Sequence, residues 1–229
     1  DDPTTRFLIA DEVGLGKTMV ARGIIAKTIE HLRDKIGTDR IDIVYVCSNA
    51  AIAKQNINRL NLLRDRRIEV ATRLTLLPIE VKSLKKHKIN FVSFTPSTTF
   101  DLKSRGGKAP ERLLLFHMLH GHFELPDKGL RHLLRGAVGA KRWAQRIRDW
   151  DKDIEASLHK KFLKALEHNA ELLNRLGDTC RELTRGSRSR PRALRNRKFA
   201  LIGELRSMLA RTCVDALEPD LIIFDEFQR

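Results

Sequence analysis

Cysteine is scarce in this chain: Cys47, Cys180 and Cys213 are odd in number and widely spaced. They provide neither a disulfide framework nor the paired spacing of a zinc knuckle, and a reducing, cytoplasmic setting is expected. Long apolar runs are missing too. None approaches the roughly 18 residues needed to span a bilayer, and no signal-peptide pattern opens the sequence, so no membrane partner is expected. No internal repeat is present. Acidic residues are in deficit, 29 Asp+Glu against 44 Lys+Arg, for a formal net charge of +15. The imbalance is local: residues 101–215 hold 26 Lys+Arg and 14 Asp+Glu, a net of +12. Such an excess favours a polyanionic partner through phosphate neutralisation and counterion release; a solvated basic surface without a ligand is the alternative.

What the chain does have is concentrated near its two ends. Asp11-Glu12-Val13-Gly14-Leu15-Gly16-Lys17-Thr18 finishes in the Gly-Lys-Thr of a phosphate-cradling loop. Gly14 and Gly16 let the backbone curl so that successive amides, Leu15 included, face phosphate oxygens. Lys17 reaches the outer phosphates, and the Thr18 hydroxyl is a ligand for Mg2+. Leu221-Ile222-Ile223-Phe224-Asp225-Glu226 is a buried-strand pattern that delivers two adjacent carboxylates. Asp225 is expected to bind Mg2+ through water and Glu226 to orient or deprotonate the attacking water. Lys17, Asp225 and Glu226 are therefore the candidate catalytic residues, Gly14 to Thr18 the nucleotide-binding ones, and Thr18 and Asp225 the metal ligands.

Hydrophobic patterning places these motifs on a doubly wound α/β sheet. Phe7–Ala10 reads as a short buried strand running into the glycine loop, and residues 18 to about 35 as a helix with Val20, Ile24 and Ile29 on its apolar side. A second strand follows at Ile41–Cys47, then a helix to Leu60 capped by Ser48-Asn49. Weaker signal lies between Arg66 and Lys88, with a short strand near Ile68–Val70. Ile89–Phe94 is a clearer strand. From Glu111 to about Leu217 strand signal vanishes, and helices are expected at 112–120, 130–135, 141–176 (one helix or two, unbroken until Gly177) and 194–216. Pro219-Asp220 restarts a strand, expected beside the first. The organisation is residues 1–100 as the first part of a nucleotide-binding domain, 101–217 as a basic helical insertion, and 218–229 as the returning strand.

Ala10–Thr18 resembles motif I of the superfamily-two helicases, in the form used by the Swi/Snf-type ATP-dependent DNA translocases. Asp225-Glu226-Phe227-Gln228 is similar to their Asp-Glu-Ala-His box, Ile43–Asn49 sits where motif Ia falls, and Phe91–Phe100 resembles a Ser-x-Thr-Pro-x-Thr-Ser-Phe segment of bacterial members. The resemblance spans roughly residues 6–100 and 218–229 and leaves the insertion uncovered. It implies a P-loop, RecA-like fold, ATP as the nucleotide, Mg2+ as its metal, and duplex DNA as the track, contacted in part by the motif Ia region. It also implies a second RecA-like domain bearing an arginine finger, whose sequence is not within these 229 residues; the isolated chain is accordingly expected to bind ATP weakly and hydrolyse little of it. Phe227-Gln228 departs from Ala-His, leaving Gln228 to replace the usual coupling histidine.

Outside these motifs the densest cationic run is Arg185–Lys198. Arg188, Arg190, Arg192, Arg195, Arg197 and Lys198 are the nucleic-acid candidates, suited to duplex phosphates. The run from Arg185 to Lys198 has no aromatic on which a base could stack. An exposed linker without a ligand is the competing reading. His117, His120, His122 and His132 lack a cysteine or carboxylate to complete a metal site. Trp143 and Trp150, seven apart, are expected to pack on one helical face. Three functions are in play: the ATP-binding half of a DNA translocase or helicase, a nucleotide-gated switch module that binds DNA or protein, and a P-loop ATPase that remodels proteins.

Overall fold

The computed structural model describes residues 8–9, 16–33, 40–48, 50–60, 70–71, 73–84, 88–94, 106–185, 192–215 and 219–225. β1 (Ile41–Cys47) is buried along its whole length, as a parallel strand covered on both faces must be. β3 (Ile89–Phe94) lies parallel on one side, with Ile41 opposite Ile89 and Val46 opposite Phe94. β4 (Leu221–Asp225) lies parallel on the other, with Ile43 opposite Leu221 and Cys47 opposite Asp225. The two-residue β2 (Val70–Ala71) extends β3, giving the order β2-β3-β1-β4. The fold is α/β, a small parallel sheet flanked by helices.

Alternation along the strands sends side chains to two different cores. Ile43, Tyr45, Cys47 and Phe91 pack with Ala21, Ile25, Ile29 and Leu32 of α1 (Lys17–Arg33) and with Ile57 and Leu60 of α2 (Ala50–Leu60). Leu221 and Ile223 of β4 join the same cluster. Val44, Val46 and Val92 turn the other way, into a cluster that continues without a break through the helical layer. That layer begins with a 3-10 turn (Leu74–Leu76) and α3 (Leu77–Leu84), which stand where sequence signal is weak. It continues as α4 (Ala109–Leu119), α5 (Asp127–Leu134), α6 (Ala140–Arg148), α7 (Ala156–Glu167), α8 (Ala170–Arg185) and α9 (Arg192–Val214). The described helices of the expected insertion therefore build one face of the sheet's own core. Gly129 brings α5 against α8: a Cβ there would fall 2.0 Å from the Cys180 carbonyl oxygen. Among the described residues no helix is long and apolar enough to cross a membrane.

Four expectations need correction. Of the expected strand Phe7–Ala10, Phe7 and Ala10 lie outside the described residues, while Leu8 and Ile9 belong to no strand and Leu8 is 86% exposed; the strand that β4 pairs with among the described residues is β1. The stretch 141–176 is divided among three helices, α6, α7 and α8. Glu155 accepts from the Leu158 amide at 2.7 Å to start α7, and Asn169 accepts from the Leu172 amide at 3.1 Å to start α8, while Gly177 sits buried inside α8. Polar caps at 155 and 169 outweigh continuous apolar spacing. Trp150 consequently lies beyond the end of α6, stacked on His117, while Trp143 is buried on α6 itself. On α1 the covered stripe is Ala21-Ile25-Ile29-Leu32, with Val20 largely exposed.

One buried ionic node ties the layers together. Glu111, 1% exposed in the first turn of α4, accepts hydrogen bonds from the Lys108 amide (2.7 Å), Thr75 Oγ1 (2.7 Å), Arg73 Nη1 (3.1 Å) and Arg206 of α9 (2.9 and 3.1 Å). Burial alone raises its pKa; the Lys108 amide, the Thr75 hydroxyl and the Arg206 guanidinium outweigh it and hold the carboxyl below its ordinary value.

Candidate functional site

Gly16 begins the site. Its φ of +85° is a left-handed conformation that glycine adopts without strain, and its carbonyl accepts from the Met19 and Val20 amides at 2.7 and 3.1 Å. It thus serves as the cap from which α1 departs. Lys17 and Thr18 form the first turn, both exposed. Their amides precede the first intrahelical acceptor, and α1 has no acidic residue in that turn to offset its positive end. An exposed helix start bearing an ammonium and a hydroxyl receives an anion readily.

Asp225 ends β4, turned to the face that α1 and α2 cover. There Tyr45 Oη and Asn56 Nδ2 both donate to its Oδ2, the latter at 3.0 Å, and Asn56 Nδ2 also reaches Tyr45 Oη at 3.1 Å. Burial first, and the Asp225 carboxylate second, push the Tyr45 phenol well above its ordinary value of 10, so it keeps its proton and donates. The helix that starts at Lys17 and the strand that ends at Asp225 share one core, with Ala21, Ile25 and Ile29 packed among Leu221, Ile223 and Tyr45. Among the described residues, neither Lys17 nor Thr18 is hydrogen-bonded to Asp225.

Tyr45 and Asn56 are absent from the sequence-based candidate set. A signal for the first existed: it is the chain's single tyrosine, a polar-tipped ring set between Val44 and Val46 near the carboxyl end of its strand. Asn56 had none, because its role depends on how α2 lies over the sheet. Gly14, Leu15 and Glu226 lie outside the described residues, as do Arg188 and Arg190.

The remaining basic candidates divide by environment. Arg192 and Arg195 are exposed in the first turns of α9. Arg197 Nη1 pairs with Glu182 Oε2 at 3.1 Å, and Lys198 Nζ donates to the His132 carbonyl at 2.6 Å, so both help fasten α9 to its neighbours. A further cationic surface was missed: Lys160, Lys161 and Lys164 share the outward arc of α7, opposite buried Phe162 and Leu166. The histidines have local partners: His117 stacks on Trp150 with ring centroids 4.4 Å apart, His120 Nε2 lies 3.1 Å from Asp127 Oδ1, and His122 meets the His159 ring edge-on. All three cysteines are free thiols in the interior. Set against known proteins, the chain matches no family model, no curated protein and no solved structure.

Proposed function

We propose that this chain is the ATP-binding half of a P-loop, RecA-like motor, an ATP-dependent translocase or helicase that moves on duplex DNA. The observation that carries the reading is the shared core of α1 and β4, which puts a Gly-Lys-Thr helix start and a strand-terminal carboxylate on the same face of one parallel sheet. Lys17 and the first-turn amides of α1 bind the nucleotide's phosphates. Thr18 and Asp225 are hard oxygen donors of the kind Mg2+ prefers, and the neutral partners of Asp225 leave its charge intact. Bound Mg2+ would neutralise charge developing on the phosphates. Glu226 orients the attacking water. A second RecA-like domain completes the reaction chamber and supplies the arginine. Arg192 and Arg195, together with the lysines of α7, suit the phosphate backbone of the track.

Equilibrium binding of a fluorescently labelled ATP with Mg2+ tests the nucleotide site. Lys17→Ala is expected to weaken it by about tenfold or more, the loss of a charge-assisted contact to phosphate. Equal affinity of the variant and the parent chain refutes the assignment. Anisotropy of labelled duplex DNA across a salt series tests the track; a log–log slope near zero refutes a phosphate-binding surface.

A further inference from the structure

Asp225 is held by one oxygen. The Tyr45 hydroxyl and the Asn56 amide both converge on Oδ2, and among the described residues no donor reaches Oδ1. Asn56 also contacts the Tyr45 oxygen, so side chains from β1, α2 and β4 interlock in a closed triangle. The triangle is stiff: Tyr45 is 1% exposed, its ring packed with Ile25, Ile43 and Phe91, and β1 fixes its height by pairing it with Ile223, two residues before Asp225. Both donors are uncharged. A lysine or arginine in their place would orient the carboxylate equally well and would cancel the charge a cation needs. Holding a ligand's second oxygen with neutral hydrogen bonds is how outer-shell groups orient a metal-binding carboxylate.

We propose that Tyr45 and Asn56 are positioning residues for a divalent cation at Asp225, occupying Oδ2 so that Oδ1 is the oxygen turned towards the metal. The inference rests on the nucleotide-site reading and adds to it the two side chains that aim its carboxylate. It makes α2 part of the metal site, because moving that helix carries Asn56 away from Asp225.

The test measures affinity for fluorescently labelled ATP with Mg2+ and with chelator, and compares the ratio of the two among parent chain, Tyr45→Phe and Asn56→Ala. Tyr45→Phe keeps the buried ring and removes only the donor; Asn56→Ala alters a partly exposed position on α2 and serves if the first variant folds poorly. Each variant is expected to lower the metal-dependent ratio about tenfold. A second readout uses the chain's single tyrosine: with the ring carbon labelled, one resonance reports on the triangle, and Mn2+-ATP is expected to broaden it in the parent chain and not in Asp225→Asn. An unchanged ratio in both variants, with the parent chain binding Mg2+-ATP normally, overturns the positioning role alone. Failure of the parent chain to bind Mg2+-ATP overturns the nucleotide site and this inference together.

Discussion

Replacing Arg206 with methionine isolates what the buried ionic node is worth. Arg206 and Glu111 are 3% and 1% exposed, and the guanidinium makes two of the hydrogen bonds that the carboxylate accepts. Removing one partner of a buried pair typically costs about 3–5 kcal/mol, because the surviving charge is left desolvated. Arg73 remains 3.1 Å from Glu111, so the lower end, about 3 kcal/mol, is expected. Thr75→Val removes a neutral hydroxyl from the same carboxylate and is expected to cost roughly 1–2 kcal/mol. Glu111→Leu combined with Arg206→Met removes both charges, and its cost is expected to fall short of the summed single costs by about 1–3 kcal/mol. Urea denaturation at pH 7 supplies all of these values. The node also predicts a pH dependence. Since the folded carboxyl titrates below its ordinary value of 4.5, its stabilisation is present above that pH and is lost as pH falls through the lower folded value. Arg206→Met, which lessens the depression, should flatten the acid limb. Loss of less than about 1 kcal/mol in Arg206→Met, or strict additivity in the double variant, refutes the reasoning.

Other outcomes follow from local geometry. His117 is held neutral by burial first and by His120 and Arg131 next, with its pKa pushed down from 6.5 to about 4. Its contribution to stability is complete above pH 6.5 and declines as pH falls from there towards 4, by roughly 1–3 kcal/mol; His117→Phe should remove that slope from a pH series of thermal midpoints. Gly129→Ala drives a methyl into the backbone of α8 and is expected to cost about 3 kcal/mol or more in urea titrations. Neutralising Arg192 and Arg195 should reduce the salt slope of duplex binding by about 2 without lowering the melting temperature, whereas Arg197→Ala should lower that temperature because it unpairs Glu182.

Much of the sheet is legible from residues alone. Ile41–Cys47, Ile89–Phe94 and Leu221–Phe224 are compact apolar runs that stand out without periodicity; the buried-strand pattern read at Leu221–Phe224 holds for one face alone, since Ile222 and Phe224 are 47% and 65% exposed. Strand order is not legible in this way. Nothing local in Leu221–Asp225 says that its neighbour is β1, because pairing is settled by which faces α1 and the helical layer leave for it. The division of 141–176 was hidden for a different reason: Glu155 and Asn169 are tolerated on a helix surface, and only their hydrogen bonds to the Leu158 and Leu172 amides make them helix starts. Lys17, Thr18 and Asp225 stand in motifs that are readable in the sequence. Tyr45 and Asn56, which hydrogen-bond to Asp225, were not readable, since the contact between residues 45 and 225 exists only after the chain has folded back on itself.

The continuity between Val44, Val46 and Val92 and the leucines of α4 and α9 has a practical bearing on anyone wishing to pare this protein down. Excising the all-helical stretch and splicing in a short linker would not release a minimal α/β unit. It would strip one side of the sheet to bare aliphatic carbon, and the trimmed product should precipitate unless a substitute lid were engineered over those valines.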